Sequence, residues 1–438
     1  MADTLITRLS NLKHVVVRPT SSVRRYLDRD SDPLIAGKEQ QVDAVLEGSL
    51  QRAGDRIRLT VRLLSVRDGA QLWAYKCDED RTDIFAVQDA ISEKVASALA
   101  PELTGDERAR LTERYTNSTE ALQAYQLGRY FWNKRTEEGM KKGITYFEQA
   151  KEKDPNFALA YVGLADSYNM LGFYAHLAPQ DSFPKAKAAA LEALRLKPQL
   201  AEGYNSLAFA NLYYDWDWAA AEQNFRRAIA LNPNYAVAHQ WYGSYFTMMG
   251  RWKEAIAELE RAEALDPLSL TVYAISASTY YQAREYNLAL KSGQKTLEMD
   301  PNFALGHVTL GQIYIRKEMH TEAVAEFQQA VTLTKGAPYM IALLAHAYAL
   351  SGKKDEARRL LGELDSLAKR RYVSSYHRAL IYLTLGQKEQ TFKWLNQAID
   401  DRQNIMIFIE HDPRLDELRS DVRFQELLRR VGLTRARY

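Results

Sequence analysis

Residues able to carry out acid–base, nucleophilic or metal chemistry occur in this chain, but they do not stand in the patterns that such chemistry uses. The sequence contains eight histidines and a single cysteine, Cys77. It has no Gly-x-x-x-x-Gly-Lys-Ser/Thr phosphate loop, no His-Glu-x-x-His zinc motif and no Gly-x-Ser-x-Gly nucleophile elbow. We therefore predict no catalytic residue, no metal site and no bound cofactor, and binding becomes the expected activity.

One short stretch places carboxylates beside tryptophans. Asp215 and Asp217 alternate with Trp216 and Trp218, which is an arrangement that a binding site could use. Acidic residues also cap turns and helix starts, and indoles pack well into cores. We interpret the four residues as turn-capping acids around packed indoles.

The histidines are scattered, and two of them occupy equivalent places. His239 and His307 are 68 residues apart, which is twice the repeat period described below. We interpret both as packing residues that face the next helix rather than as ligands. His346 differs, because helical spacing turns it toward an inner groove.

Prolines mark a regular repeat in the middle of the chain. Pro233, Pro267 and Pro301 are 34 residues apart, and each closes an Asn-Pro or Asp-Pro step after an amphipathic segment. This period resembles that of stacked helix-turn-helix repeats of the tetratricopeptide (TPR) type. One helical pair cannot bury its own apolar face, so the pairs must stack into a superhelix with an extended groove. We predict a mainly α fold with about seven to eight pairs over residues 119–400.

Aromatic residues recur at fixed places in these pairs, and we expect them to fill the core between helices. First helices carry Phe131, Tyr168, Phe246, Tyr280, Tyr314, Tyr348 and Tyr382, and second helices carry Phe147, Phe225 and Phe327. Two pairs are lengthened, at residues 134–138 and 173–181. Such insertions usually emerge as loops on one face of a repeat protein, where they can shape binding.

The inner, concave face of the superhelix is the predicted binding site. Helical phase assigns to it residues of the first helices that point away from the partner helix. They are Tyr125, Arg129, Trp132, Asp166, Asn169, Asn205, Phe209, Tyr213, Gln240, Ser244, Ser278, Tyr281, Gln312 and Arg316. This mixture of aromatic and amide side chains suits an extended peptide, because amides can bond to a peptide backbone while aromatic rings stack on its side chains. A merely solvated inner wall is the alternative.

The first 103 residues follow a different pattern and predict a separate α+β domain. It should begin with a helix that has Leu5, Leu9 and Leu12 on one face, a short buried strand at His14–Arg18 and a helix at Pro33–Gln41. An antiparallel meander of three strands should follow, at Ala44–Arg52, Arg56–Val66 and Gln71–Cys77. The last expected element is a helix that lies across the sheet with an apolar stripe of Ile84, Val87, Ile91, Val95 and Leu99. In the second strand of the meander, Leu59 and Val61 alternate with Arg58 and Arg62, so one face should be buried and the other solvated.

Residues 104–118 are charged and lack a strong period, so they are expected to be a linker. Residues 401–438 are expected to form a helical cap, since solenoids need a polar end. The formal net charge of +2 and the dispersed acidic residues give no case for nucleic acid as a direct partner. No apolar run reaches the length of a membrane span. A cytoplasmic location is predicted, and homodimerisation is left open.

Several stretches resemble a known domain architecture. Those in the first domain are residues 42–52, 56–60, 69–74 and 83–88, and those in the repeats and beyond are Trp216-Asp217-Trp218, residues 265–269 and residues 423–428. The first group resembles the TolB amino-terminal-like domain of bacterial multidomain regulators, in which TPR repeats follow. The resemblance covers nearly the whole chain and implies a signalling or transcription role. One departure is that the similar domains open with a strand before the first helix, whereas Met1 lies almost at that helix.

The resemblance implies three classes of function, because proteins so organised often carry an upstream effector. In the first, the chain is a non-catalytic protein-binding or peptide-binding module that senses or regulates. In the second, it is the regulatory half of a longer enzyme, a serine/threonine kinase or class III nucleotide cyclase whose catalytic domain lies upstream. A third reading makes it the carboxyl-terminal part of a transcription regulator. An upstream membrane helix would make the location periplasmic.

Overall fold

The structure is a computed structural model that describes residues 2–10, 12, 15–23, 26, 32–53, 56–80, 84–99 and 114–433. Helices dominate it, and a single small antiparallel sheet lies in the first part of the described chain. No helix in these ranges is both long and apolar enough to cross a membrane. The fold class is therefore the predicted one, with a small α+β region followed by a superhelix of helical pairs.

The α+β region contains helices α1 (Ala2–Leu9), α2 (Pro33–Glu39) and α3 (Ile84–Leu99), and strands β1 (Ala44–Ala53), β2 (Arg56–Ser65) and β3 (Gln71–Asp80). The strands pair in the order β1-β2-β3, antiparallel throughout. Its core joins the buried stripe of α1 and that of α3 to one face of β2, as predicted. The buried members are Leu5, Leu9, Leu12, Leu59, Val61, Ile91, Val95 and Ala96. The side chains of Ile84 and Val87 lie outside the described residues.

The predicted buried strand at His14–Arg18 is wrong for the part that the structure describes. Residues 15–19 form no ladder with the described strands, and Val16 is 44% exposed. The physical reason lies in the repeats. The Asn234 side-chain amide donates hydrogen bonds of 3.3 Å to the carbonyl oxygens of both Leu12 and Val15, so this backbone docks on the superhelix instead of joining the sheet.

Eight helical pairs follow. They are α4 (Thr119–Trp132) with α5 (Glu137–Lys153), α6 (Ala158–Phe173) with α7 (Pro179–Leu196), α8 (Ala201–Ala210) with α9 (Trp218–Leu231), α10 (Ala236–Met248) with α11 (Trp252–Leu265), α12 (Leu270–Gln282) with α13 (Tyr286–Met299), α14 (Ala304–Arg316) with α15 (His320–Leu333), α16 (Pro338–Leu350) with α17 (Lys354–Leu367), and α18 (Ser375–Thr384) with α19 (Lys388–Asp400). A wide turn, Asn211–Asp215, extends α8. We call them pairs 1 to 8 in chain order.

The second helices carry the aromatic core of the stack, and the first helices do so only in part. Phe147, Phe225 and Phe327 are fully buried, as predicted. On the first helices Phe246 is buried, whereas six of the predicted core aromatics are only half-buried: Phe131, Tyr168, Tyr280, Tyr314, Tyr348 and Tyr382. The Phe147 ring fits between α4 and α6 because glycines face it on both helices. A Cβ added to Gly128 or Gly163 would lie 2.5–2.6 Å from the ring.

His239 and His307 close the Asn-Pro and Asp-Pro turns that precede their own helices, which confirms their prediction as packing residues. In each, Nδ1 lies 2.6 Å from a glutamate of the following helix, Glu258 or Glu326. In each, Nε2 lies 2.9 Å from the carbonyl oxygen of the turn proline, Pro233 or Pro301. The repeat period thus places the same histidine contacts, to a glutamate and to a proline carbonyl, in pairs 4 and 6.

One of the two acids of pair 3, Asp217, has the predicted turn-capping role. The carboxylate of Asp217 accepts a 3.0 Å hydrogen bond from the Ala220 amide at the start of α9. Asp215 forms a 2.6 Å ion pair with Lys187. Trp216 and Trp218 are both buried in the core.

The superhelix brings pair 1 into contact with the turn between pairs 7 and 8. A guanidinium nitrogen of Arg371, which follows α17, lies 3.0 Å from the carboxylate of Glu137 at the start of α5. Glu137 also pairs with Lys141 at 2.8 Å, and His176 stands 3.5 Å away. Pair 1 and the turn after pair 7 therefore lie side by side, although they are far apart in the chain.

Residues 401–433 form a segment that turns back into the superhelix, and we call it the C-terminal segment. It contains the 3-10 helices Asn404–Phe408 and Pro413–Leu418 and helix α20 (Val422–Val431). Its helical character is as predicted, but it is more than an end cap. Asn404 donates a 3.1 Å hydrogen bond to the carbonyl oxygen of Phe173, and the ring of His411 packs on Trp252. The segment therefore follows the turns between first and second helices, from pair 2 to pair 6 and beyond.

Candidate functional site

The C-terminal segment covers the inner face of the later pairs. Arg284 and Arg316 both pair with Asp416 of the segment, at 2.7 Å and 3.5 Å. Tyr281 is 4% exposed, and the charges of Asp412 and Arg414 act on it. Tyr281 and Arg316, two of the predicted lining residues, therefore hold the chain's own segment. The reason is that residues 401–433 turn back onto these pairs, which helical phase alone could not show.

A buried polar network fastens this segment. Asp412 accepts hydrogen bonds from Arg414 Nε (2.9 Å) and Nη2 (2.7 Å), and from the Tyr376 hydroxyl. Burial lowers the pKa of His346 to about 4, and the nearby Arg414 charge adds to this effect. Burial and Arg414 also lower the pKa of His377 to about 3. His346 does point inward as predicted, but it faces this network and not solvent.

Phe209 and Tyr213, also predicted to line the groove, belong to the core. Their ring centroids are 4.3 Å apart, and the Phe209 ring packs edge-on against Trp241 at 4.8 Å and Phe173 at 5.6 Å. The two are 2% and 1% exposed. Both rings pack against first helices of pairs 2 and 4, through Phe173 and Trp241, so they are core residues and do not line a groove.

Pairs 1 to 3 leave a different set of inner residues partly exposed. Asp166 lies 3.6 Å from a guanidinium nitrogen of Arg129, which is longer than a charge-assisted hydrogen bond. It also accepts a 2.5 Å hydrogen bond from the Ser206 hydroxyl. Burial raises the pKa of Asp166, and the Arg129 charge offsets only part of that rise. The carboxylate is therefore incompletely compensated.

Two arginines share one indole at the pair 1 end of this face. The guanidinium carbon of Arg129 is 4.4 Å from the Trp132 ring centre, and that of Arg135 is 3.8 Å from it. Arg135 has a left-handed backbone conformation, with φ of 55°, in the lengthened turn of pair 1. It forms no ion pair within the described ranges. The Trp132 Nε1–H is buried without a hydrogen-bond partner there.

Acceptors without donors lie on pairs 2 and 3. The Asn169 amide nitrogen donates to the Ser206 carbonyl at 3.0 Å, which leaves its oxygen as the free atom. The side-chain oxygens of Asn169 and Asn205 are both buried without a partner among the described residues. One turn before Asn205, Glu202 has no ion pair in the same ranges. Burial raises its pKa and the Asp166 charge adds to the rise, whereas the charges of Lys197 and Arg129 offset only part of it. Such unmet acceptors are costly unless something supplies donors.

The other predicted lining residues have mixed roles. The ring of Tyr125 packs at a tilt against that of Phe157, with ring centroids 5.1 Å apart, and Tyr125 is half-buried. Gln240 accepts a 3.1 Å hydrogen bond from Thr271, and Ser244 is 4% exposed. Ser278 and Gln312 are half-buried on the inner faces of α12 and α14.

Sequence reasoning missed three inner residues, Arg135, Glu202 and Tyr235. Glu202 stands one helical turn before Asn205, so the same helical phase could have included it. Tyr235 precedes α10, and the charges of Asp166 and Glu202 act on its hydroxyl. Arg135 lies in a turn, where helical phase gives no information. The arrangement can bind charged and amide groups, and among the described residues no group of His, Cys, Asp or Glu could hold a metal ion.

A second concave feature lies on the outside of the superhelix. It is a groove of about 540 Å³ between α11, α12 and α13, lined by Ile256, Glu260, Glu263, Tyr280, Leu288, Lys291, Lys295 and Glu298 among others. Leu288 is 47% exposed there. Its charged rim residues reach solvent, so it offers no buried unpaired group of the kind found inside.

Comparison with known proteins identifies the repeat type. Two family models, both described as tetratricopeptide repeat, match residues 208–269 and 306–336. The chain carries tetratricopeptide repeats. The fold agrees, since a monomeric mutant of IFIT1 solved with m7Gppp-AAAA aligns with a TM-score of 0.52 at 15% identity, over 78% of this chain and 75% of that one. A likeness at this identity shows the TPR fold alone.

Curated relatives match parts of the TPR chain. A candidate adenylate cyclase 3 of Rhizobium meliloti (strain 1021) is 29% identical over 48% of this chain and 36% of its own length. The TPR repeat-containing protein YpiA of Bacillus subtilis (strain 168) is 24% identical over 63% of this chain and 61% of its own. The matches thus span about a third and three-fifths of those two proteins.

Proposed function

We propose that this TPR chain is a non-catalytic scaffold that binds an extended segment of a partner protein inside pairs 1 to 4. TPR repeats are generally protein-binding modules. The observation that supports this site most is the set of buried, unpartnered polar atoms on one face: Trp132 Nε1, Asn169 Oδ1 and Asn205 Oδ1. A peptide backbone supplies both the N–H and the C=O groups that would satisfy them.

The α+β region is placed to respond to such binding. Arg18 donates hydrogen bonds of 2.5 Å and 2.8 Å to the carbonyl oxygens of Ala264 and Leu265, at the end of α11. Ser22 bonds to Asp266 in the turn that follows. That turn leads into α12, whose inner face carries Ser278, and the turn that contains Asn234 leads into α10, which carries Gln240. A ligand that shifts these helices would therefore move the surface on which the α+β region rests.

We therefore infer a regulatory role, in which the TPR pairs sense a partner and the α+β region transmits its presence. The resemblance of that region to TolB amino-terminal-like domains of bacterial regulators supports a signalling or transcription role. The predicted boundaries, 1–103 for the α+β domain, 104–118 for a linker, 119–400 for the repeats and 401–438 for the end, are part of the proposal. So is a cytoplasmic location, and homodimerisation is left open.

A regulatory half of a longer enzyme is the second candidate. The candidate adenylate cyclase of Rhizobium meliloti supports it, since this chain matches 36% of that protein's length. Catalysis would then belong to a domain outside this chain. Assays of nucleotide cyclase and protein kinase activity on the longest reading frame that contains this chain would separate the two candidates.

Peptide selection tests the binding proposal directly. Random 12-residue peptides displayed on phage are selected on the immobilised full chain, and the winning peptide is titrated against variants. We expect Asn205→Ala and Arg135→Asn to weaken binding at least tenfold, about 1.4 kcal/mol. Asparagine suits the left-handed backbone at position 135.

Leu288→Ala in the outer groove is the matched control, and its affinity should equal that of the wild type. Selection of no peptide, or binding that Leu288→Ala alone impairs, would contradict the proposed site. Circular dichroism of each variant confirms that it has folded.

A further inference from the structure

The unmet groups on pairs 2 and 3 are nearly all acceptors. They are the carboxylates of Asp166 and Glu202 and the buried side-chain oxygens of Asn169 and Asn205. A neutral peptide backbone offers one N–H per residue, which is too few to satisfy two carboxylates and two amides at one place. A side chain that carries several N–H donors and a positive charge would satisfy them together.

The arginines at the other end do not remove this need. Arg129 stands 3.6 Å from Asp166 and stacks on Trp132, so it approaches that carboxylate from the pair 1 side. Glu202 belongs to pair 3, on the opposite side of Asp166. Burial raises the pKa of both acids, and the Asp166 charge adds to the rise at Glu202. Arg129 acts on both carboxyl groups and Lys197 acts on Glu202, but neither acid returns to its ordinary pKa. The protein's own cations therefore offset the burial of these two acids only in part, which favours a further cation beside them.

Two buried amides supply an observation independent of the acids. Asn169 is 1% exposed and Asn205 is 3% exposed, yet each keeps an oxygen without a partner. Asn169 lies one turn after Asp166 on α6, and Asn205 lies one turn after Glu202 on α8. Each helix therefore presents one carboxylate and one amide oxygen on the same face.

We propose that this face is a pocket for a basic side chain, and that the segment bound by pairs 1 to 4 carries a lysine or arginine whose cation lies between Asp166 and Glu202. The oxygens of Asn169 and Asn205 accept its remaining hydrogen bonds. This rests on the proposed function, and it specifies the chemistry of the partner. A guanidinium or ammonium group is the donor-rich cation that proteins offer.

The test uses the phage-displayed 12-residue library on the full wild-type chain and on the Glu202→Gln variant. We expect wild-type selection to fix a lysine or arginine at one position and selection on Glu202→Gln to lose that preference. The selected peptide, and an analogue of it with norleucine in place of the basic residue, are then titrated against both proteins. Glu202→Gln should weaken the lysine peptide at least tenfold and leave the norleucine peptide within twofold.

The control variant is Glu298→Gln, which removes a carboxylate from the rim of the outer groove and should change neither affinity. Asp166→Asn is a second test variant, and where it folds it should weaken binding of the lysine peptide by the same factor as Glu202→Gln. Peptides that bind and depend on Asn205 but lack a basic residue, including acidic ones, would overturn this inference while leaving the proposed function intact. Failure to select any peptide would contradict both.

Discussion

Arg284 and Asp416 lie 132 residues apart in the chain and form a paired contact in which two guanidinium nitrogens meet two carboxylate oxygens, at 2.7 Å and 2.8 Å. The contact joins pair 5 to the C-terminal segment. It shows that the inner face of the later pairs is occupied by the chain itself. Binding of a partner is therefore confined to the earlier pairs in our account.

Removing this contact should loosen the segment without unfolding the superhelix. Arg284 and Asp416 are 49% and 33% exposed, so solvent screens the pair and its loss should cost no more than about 1 kcal/mol. We expect Asp416→Asn to speed amide hydrogen exchange in residues 401–420. The control is Asp355→Asn, which removes the partner of Arg358 on exposed α17. Equal exchange in both variants would show that the contact does not hold the segment.

Glycine spacing controls how closely pairs 1 and 2 approach. A Cβ at Gly163 would lie 2.6 Å from the buried Phe147 ring, so Gly163→Ala should lower the free energy of unfolding by about 1–3 kcal/mol. Gly362, inside α17, has no atom within 4 Å of the same added Cβ. Gly362→Ala should therefore raise the free energy of unfolding by up to about 1 kcal/mol. Urea denaturation measures the free energy of unfolding of both variants. An unchanged value for Gly163→Ala would contradict the packing of Gly163 against Phe147.

Stability should fall in acid because of buried neutral histidines. The pKa of His377 is lowered to about 3 by burial and Arg414, against about 6.5 in the unfolded chain. Below pH 6.5 the unfolded state thus binds the proton that the folded state does not, and stability is lost as pH falls from 6.5 toward 3. The loss for one such histidine reaches at most about 1.4 kcal/mol per pH unit.

His377→Asn should flatten this dependence in thermal melts between pH 7 and pH 4.5. His320→Gln is the control, because His320 begins α15 outside the network around Arg414. An unchanged slope in His377→Asn would mean that other groups cause the acid lability.

The docking of the α+β region should depend on Asn234. Its amide bonds to the carbonyls of Leu12 and Val15, and Arg261 orients it through a 2.9 Å hydrogen bond. Asn234→Ala should raise hydrogen exchange around residues 15–23 while the repeats keep theirs. The equivalent residue of pair 6, Asn302, is an exposed control. Unchanged exchange in Asn234→Ala would argue against this contact as the route of transmission.

The sequence predicted the fold well because its signals are periodic. Pro233 and Pro301 mark the repeat, and His239 and His307 make the same contacts in two pairs. The site was predicted less well, because helical phase says which side a residue takes but not what covers it. Tyr281 and Arg316 point inward as expected, yet residues far along the chain fill the space before them. Arg135 and Asn234 both lie in turns. Helical periodicity does not predict where the side chains of turn residues point, so their contacts could not be predicted.

Hydrogen exchange of the full chain with and without the selected 12-residue peptide would test the central claim most directly. Our account predicts slower exchange in the inner helices α4, α6 and α8, and a change in residues 15–23, where the α+β region rests on pairs 3 and 4. Exchange in α18 and the C-terminal segment should stay the same. Protection confined to α11, α12 and α13 around the outer groove, or to the C-terminal segment, would contradict it.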